Sequence, residues 1–174
     1  NYAVSGVPQW SYGGITQLGK IIVYSGIDYT TTQILDVTGY GGSTDFSWYG
    51  QSVDITNTKL IAGAAGQLWK GYTAIKTDCF VRIYDFNSNL GSGNEWVVNT
   101  TINSPNYGIL ADSFGAAVAI TDSVILVGAP TTNTTDLSGA VYVYDINNPN
   151  SSYDASFGSF TYPEDFFGAS VAAT

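Results

Sequence analysis

Histidine is absent from this 174-residue sequence, and basic residues are scarce. The missing histidine removes the commonest general base, a member of the usual catalytic triad and the commonest metal ligand. Five Lys and Arg stand against 14 Asp and Glu, which gives a formal net charge of -9. Because no basic cluster interrupts this negative charge, nucleic acid and anionic membrane surfaces are poor partners for the protein.

Cysteine occurs once, at Cys79, so no disulfide can form within the chain. Because Cys79 precedes an apolar strand, a small packed side chain is favoured over an intermolecular bridge or a reactive thiol. No run of about 18 apolar residues or signal peptide is present, so membrane insertion is not expected. The missing initial Met indicates a mature product or a piece of one. Asn-rich and Thr-rich connections favour an extracellular or cell-surface location.

Apolar strands recur at a fixed interval along the chain. Tyr24, Tyr84 and Tyr144 lie 60 residues apart, and each ends a short apolar segment. A constant offset between similar segments is the signature of an internal repeat. The spacing therefore predicts three copies of one antiparallel β unit.

Paired glycines support the same repeat. Gly50 precedes Gly63 by 13 residues, and Gly115 precedes Gly128 by the same number. The third copy is the most regular: its second strand, Val124 to Ala129, is apolar on both faces and is stopped by Pro130. The flanking strands alternate in polarity, as strands with one buried face do.

The repeats divide the chain into one domain of four parts. Residues 1–44 form an incomplete unit without a Phe-Gly strand, residues 45–107 and 108–162 form complete units, and residues 163–174 supply a surplus first strand. We expect this surplus strand to complete the first unit, in the same chain or in a neighbouring one. Completion between chains would generate a head-to-tail ring or filament. The predicted assembly strand comprises Phe166, Phe167, Gly168, Ala169, Ser170 and Val171.

The third copy carries a motif that resembles a known family. Phe114-Gly115, Gly128-Ala129-Pro130 and the following Gly139 to Tyr144 resemble the FG-GAP repeat of integrin alpha-subunit propellers. The resemblance is strong over residues 112–144 and looser over 45–85 and 3–24. It implies an all-β fold of antiparallel four-stranded blades, about three per chain. The motif residues would then be structural: Gly50, Gly63, Phe114, Gly115, Gly128, Ala129 and Pro130.

Two departures from the family pattern bear on function. Many members have an Asp-rich calcium loop between the first two strands, but residues 120–124 offer one Asp, and residues 55–59 offer one Asn and one Lys. These cannot supply the roughly six to eight oxygens that Ca²⁺ requires, so no metal and no cofactor is expected. Three blades are also fewer than the roughly four to eight of an ordinary closed propeller.

Recurring acids form the one pattern that bears on catalysis. Asp45, Asp112 and Asp165 lie just before the Phe/Tyr-Gly strands. Their repetition favours turn stabilisation, in which the carboxylate accepts hydrogen bonds from nearby backbone amides, over a catalytic pair in one cleft. We therefore expect no catalytic residue and no enzymatic activity.

Three N-glycosylation sequons begin at Asn99, Asn133 and Asn150. About this number is expected by chance, but Asn133 and Asn150 fall in predicted loops and Asn99 near an outer strand, where a glycan would fit. Trp10 and Trp69 also lie in predicted loops, where a sugar ligand could stack on them. Packing in a core or an interface is the favoured interpretation of these aromatic residues.

The sequence thus favours a non-enzymatic, extracellular structural or adhesive glycoprotein that self-associates through strand completion. The alternative is a segment of a longer integrin-like propeller that binds a protein or glycan ligand through its loops. A third and weaker hypothesis is an accessory propeller domain of a secreted hydrolase.

Overall fold

The computed structural model describes residues 2–11, 18–37, 47–66, 79–91, 93–106, 112–131, 138–150, 153, 155–158 and 165–174. Within these ranges the chain forms three antiparallel sheets and no α-helix. One 3₁₀ turn, Ser88–Leu90, lies between two strands. In the described part of the chain, no helix is long and apolar enough to cross a membrane. The predicted all-β antiparallel fold is confirmed.

Each predicted repeat corresponds to one sheet. Sheet 1 has the strand order β1-β2-β3, sheet 2 the order β4-β5-β6-β7, and sheet 3 the order β11-β10-β9-β8. The bounds are β1 Tyr2–Val7, β2 Lys20–Ser25, β3 Thr31–Asp36, β4 Ser52–Ile55, β5 Lys59–Ala64, β6 Phe80–Phe86, β7 Trp96–Asn103, β8 Ala117–Ile120, β9 Val124–Ala129, β10 Ala140–Asp145 and β11 Ala155–Gly158.

Sheet 2 is the middle layer between two apolar cores. Because successive side chains of a strand point to opposite faces, β5 places Leu60 in the core shared with sheet 1 and Ile61 in the core shared with sheet 3. In β6, Tyr84 likewise lies in the core shared with sheet 1, and Ile83 lies in the core shared with sheet 3. This double burial explains the near-continuous apolar sequence of these two strands.

A β-bulge lets the outer strand β7 contribute to both cores. Its pairing with β6 shifts between Ile83 and Tyr84, which leaves Asn99 as the extra residue. One extra residue reverses the alternation of faces. Trp96 therefore packs in the core with sheet 1, whereas Ile102 packs in the core with sheet 3.

The C-terminal segment differs from the predicted strand. Residues 165–174 contain a turn, closed by a 3.0 Å hydrogen bond from the Ala169 amide to the Phe166 carbonyl, and no strand. A strand needs a partner for its backbone groups, and these residues do not pair with β1. Completion of the first blade therefore stays a prediction. The predicted boundaries near residues 44, 107 and 162 lie outside the described residues.

Buried tyrosines make the fold sensitive to alkali. Burial raises the pKa of Tyr49, Tyr84 and Tyr144 above the ordinary value of 10.0. The hydroxyls of Tyr49 and Tyr84 also form a hydrogen bond of 2.5 Å with each other. The folded protein thus holds these protons more tightly than the unfolded chain does.

We predict that stability is complete below about pH 10 and falls as the pH rises above it, toward the folded-state pKa values. Urea unfolding at a series of alkaline pH values measures the loss, and Tyr144→Phe should make the decline shallower because it removes one of the three groups. A spectroscopic titration in which all 13 tyrosines of the folded protein ionise with one ordinary midpoint would contradict this assignment.

Candidate assembly site at the repeat glycines

A turn with two left-handed residues precedes each first-strand segment. The first residues of these turns, Trp48, Ser113 and Phe166, have φ of 52°, 55° and 51°, and the glycines two positions later, Gly50, Gly115 and Gly168, have φ of 85°, 89° and 89°. Glycine adopts this conformation readily, but a side-chain-bearing residue is strained there by about 1 kcal/mol or more. The surrounding contacts must therefore hold each turn in place.

A buried aspartate holds the third-repeat turn. One carboxylate oxygen of Asp112 accepts a 3.0 Å hydrogen bond from the Phe114 amide, and the other accepts hydrogen bonds from Ser104 and Asn106. Asp112 is fully buried, so these donors replace the water that a carboxylate otherwise requires. The predicted turn role is confirmed at this residue.

The other two predicted acids differ from each other. Asp165 accepts a 3.2 Å hydrogen bond from the Phe167 amide, which repeats the contact of the third turn. Asp45 lies outside the described residues. The position three residues before Gly50 is Ser47, whose hydroxyl donates a 2.6 Å hydrogen bond to the Leu18 carbonyl. Ser47 is therefore the positional counterpart of Asp165.

The glycines of the motif bring consecutive sheets into backbone contact. A Cβ on Gly6 would lie 1.8 Å from the Gly50 carbonyl oxygen, and one on Gly63 would lie 2.0 Å from the Gly115 oxygen. No side chain fits at such distances, so these positions require glycine. We call this approach the glycine contact; it occurs at Gly6–Gly50, Gly63–Gly115 and Gly128–Gly168.

The same glycines also connect the strands of one sheet. The Gly50 amide donates a 2.9 Å hydrogen bond to the Gly63 carbonyl, and the Gly115 amide donates an equal one to the Gly128 carbonyl. Gly50 and Gly115 thus each donate a hydrogen bond within their own sheet and place their carbonyl oxygen against a glycine of the preceding sheet. These two contacts explain why the predicted structural residues recur as pairs.

The pairing of a first strand with a second strand, made in sheets 2 and 3, is missing at β1 and after Gly168 among the described residues. β1, which carries Gly6, has β2 on one side and no strand on the other among the described strands. Residues 169–174 follow Gly168 as β4 follows Gly50, but they have no partner strand in that part of the structure. The registers Ser52–Gly63 and Ala117–Gly128 would place Ser170 opposite Gly6.

Polar side chains link the outer parts of sheets 1 and 2. The Gln33 side chain donates a 2.8 Å hydrogen bond to the Trp96 carbonyl and accepts a 2.9 Å hydrogen bond from the Trp96 amide. Arg82, which is largely buried, donates a 3.0 Å hydrogen bond to the Asp36 carbonyl. The Gln33 bonds engage backbone groups of Trp96 on the edge of β7, and the Arg82 bond joins β6 to β3.

Two further side chains link sheets 2 and 3 near the inner strands. Asp54 accepts a 2.8 Å hydrogen bond from the Ile120 amide, and the Ser52 hydroxyl donates a 2.6 Å hydrogen bond to the Gly115 carbonyl. Sequence reasoning missed these linking residues and Gln33. Alternation predicts which side chains share a face, but it does not say which neighbouring sheet lies against that face.

The turns that replace the family calcium loop are held by threonine. The Thr121 hydroxyl accepts hydrogen bonds from the amides of Ser123 and Val124 at 3.2 and 3.0 Å. In the β4–β5 turn, the Thr56 hydroxyl accepts equivalent hydrogen bonds from the amides of Thr58 and Lys59 at 3.3 and 3.0 Å. The described residues contain no group of three acidic, cysteine or histidine side chains that would hold a metal ion.

The remaining sequence candidates lie in different surroundings. Cys79 is 1% exposed and its sulfur lies 3.3 Å from the Ala65 carbonyl oxygen, which confirms the packed role. Trp10 is half-buried, with the Lys20 ammonium 4.7 Å from its ring centre. Trp69 and Asn133 lie outside the described residues.

The two described sequon asparagines are exposed. Asn99 lies at the β7 bulge and donates a 2.6 Å hydrogen bond to Asp85. Asn150 follows β10, and its side-chain oxygen accepts a hydrogen bond from the Thr100 hydroxyl. A bond from sheet 2 to the region after β10 therefore connects the two sequons.

The fold and these turns define a protein built from stacked antiparallel β repeats. Residues 108–144 match the family model described as FG-GAP repeat, which confirms the resemblance in the third repeat. The match spans β8, β9 and most of β10 together with the glycines of the third repeat. A comparison with curated proteins found no match to the chain.

Gly63→Ala should lower the free energy of unfolding by about 2–3 kcal/mol, because the new Cβ would overlap backbone atoms of sheet 3. Its nearest neighbour would be the Gly115 oxygen at 2.0 Å. The matched control is Gly158→Ala, whose Cβ would meet only the Gly139 oxygen at an ordinary 3.7 Å. Urea denaturation measures both variants, and equal stability of the two would show that the glycine contact is not a close steric fit.

Proposed function

We propose that the protein is a non-enzymatic structural or adhesive glycoprotein of the cell surface or extracellular space. In this proposal, copies of the chain associate when residues 165–174 of one copy complete sheet 1 of another. The observation that carries the proposal is that β1 has a free edge and the segment after Gly168 has no partner strand among the described residues. FG-GAP repeats are typical of extracellular and cell-surface proteins and are typically non-enzymatic.

The edge of β1 is suited to accept a strand. An unpaired edge presents amide and carbonyl groups in a row, which a further strand can pair with. Ala3 and Ser5 are exposed and small, so they do not obstruct an approaching backbone. Ala172 and Ser170 are also exposed and small. The two segments can therefore approach each other closely in the register of the complete sheets.

Apolar side chains on the outer faces of sheets 1 and 3 support the same association. Ile34 on β3 is 57% exposed and lies on the face of sheet 1 that points away from sheet 2. Phe157 on β11 is 56% exposed and lies on the corresponding outer face of sheet 3. In the internal interfaces, apolar side chains on such faces are covered by a neighbouring sheet. Association would remove both side chains from water.

Acidic groups in the described sheets serve structural contacts. Asp112 and Asp54 accept backbone hydrogen bonds, and Asp85 forms a 2.6 Å ion pair with Lys59. A catalytic pair would instead require two carboxylates that converge on one cleft. This use of the acids supports a binding or structural role.

A second candidate is completion of sheet 1 within one polypeptide, as part of a longer propeller that binds a partner through its loops. One cleft of about 440 Å³ is lined by Tyr2 at the start of β1 and by Ala173 and Thr174. The two segments thus border the same cleft in one chain. This proximity favours the same pairing without a second copy.

Sedimentation velocity on residues 1–174 and on residues 1–164 tests the proposal. We expect the longer chain to form oligomers whose size rises with concentration, and the shorter chain to be monomeric. Ala172→Pro should also prevent association because proline removes the backbone donor that this register directs at β1, whereas the matched control Ala172→Ser should associate normally. Circular dichroism checks that all variants retain β structure.

Two outcomes would overturn association between copies. A monomeric full-length chain that loses stability on truncation would instead support completion within the chain. Unchanged oligomers after truncation would show that another surface mediates association.

A further inference from the structure

We propose that the cleft between sheets 2 and 3 holds the first N-acetylglucosamine of a glycan attached to Asn150. This inference rests on the proposed extracellular location. The cleft has a volume of about 350 Å³, and Asn150 itself lies at its wall. The other wall residues that matter here are Thr101, Asn103, Tyr144, Pro149 and Tyr153.

An aromatic surface remains uncovered at this junction. Tyr153 contacts Tyr142 and Tyr144 with ring centres 5.0 and 6.4 Å apart, yet it is 40% exposed. At the junction of sheets 1 and 2, Trp96 packs on Phe86 and is only 2% exposed. The junction of sheets 2 and 3 therefore has room for one more group against an aromatic ring.

The chemistry of the wall suits a sugar. A pyranose ring has a face of C–H groups that packs on an aromatic ring, and hydroxyl and acetamido groups that need polar partners. Tyr153 and Pro149 provide apolar surface, and Thr101 and Asn103 provide polar groups at the same cleft. The cleft volume lies within the range of ligand sites, about 300–1,000 Å³.

The hydrogen bond at Asn150 is compatible with glycosylation. The glycan attaches to the side-chain nitrogen, and the oxygen that accepts the bond from Thr100 is unchanged by that reaction. The bond can therefore persist and hold the side-chain amide at the cleft. Asn150 is exposed, which leaves space for the rest of the glycan.

Asn99 differs because its nitrogen is the atom already engaged. That nitrogen donates a 2.6 Å hydrogen bond to Asp85, which also pairs with Lys59. A sugar on this nitrogen would remove one of its two N–H groups and stand beside the ion pair. Of the two described sequons, we therefore expect the one at Asn150 to couple its glycan to the fold.

The experiment uses the double variant Asn99→Gln/Asn133→Gln, which leaves Asn150 as the single sequon. The protein is secreted from a eukaryotic host, and its glycan is trimmed to one N-acetylglucosamine; the unglycosylated form is made in bacteria. Mass spectrometry measures occupancy and urea denaturation measures stability. We expect the single sugar to increase the folding equilibrium constant about threefold to tenfold, as aromatic contacts do.

Tyr153→Ala is then introduced into both forms as a double-mutant cycle. We expect the stabilising effect of the sugar to disappear in this variant, whereas Tyr29→Ala, at an exposed tyrosine remote in sequence, should leave it intact. An occupied Asn150 whose sugar has the same effect with and without Tyr153 would overturn the inference.

The natural sequons separate this inference from the proposed function. If the unsubstituted secreted protein carries glycans at Asn99 or Asn133 but none at Asn150, the cleft inference fails and the extracellular location stands. If the protein is not secreted, or all three sequons are empty, the glycoprotein proposal fails and the cleft inference fails with it.

Discussion

The fold of this protein depends on a close steric contact between two backbones, in which the carbonyl oxygen of a glycine lies against a glycine of the preceding sheet. The contact leaves no room for a Cβ at Gly63, because that atom would lie 2.0 Å from the Gly115 oxygen. It requires Gly115 to adopt a left-handed conformation, which glycine does without steric cost. The approach of the sheets then allows large side chains such as Phe114 to be fully buried between them.

The middle sheet follows from repeating this contact on both of its sides. Its strands β5 and β6 are apolar on both faces because each face meets another sheet. The bulge at Asn99 serves the same double burial, because it directs Trp96 and Ile102 of one strand toward different cores. Where the outer strands diverge, polar bonds such as that of Gln33 to Trp96 take the place of apolar packing.

The same repetition connects the architecture with the proposed roles. In the proposed assembly, β1 and the segment after Gly168 would form the same strand pairing that β5 forms with β4 and β9 forms with β8, because neither has such a partner among the described strands. The divergence of the outer strands produces the cleft beside Asn150. Assembly and glycan binding would thus use different parts of the sheet junctions, the inner edge in one case and the outer rim in the other.

Strand positions and motif glycines were determined by the sequence itself, since alternation with a period of two and the need for glycine at steric contacts are local properties. β9, for example, coincides with its predicted bounds. The tertiary structure alone decided that Asp54 bonds to sheet 3, that Asn99 forms a bulge, and that residues 165–174 make a turn without a paired strand. These features depend on which neighbour lies opposite a given face or edge, and a pattern along one chain does not contain that information.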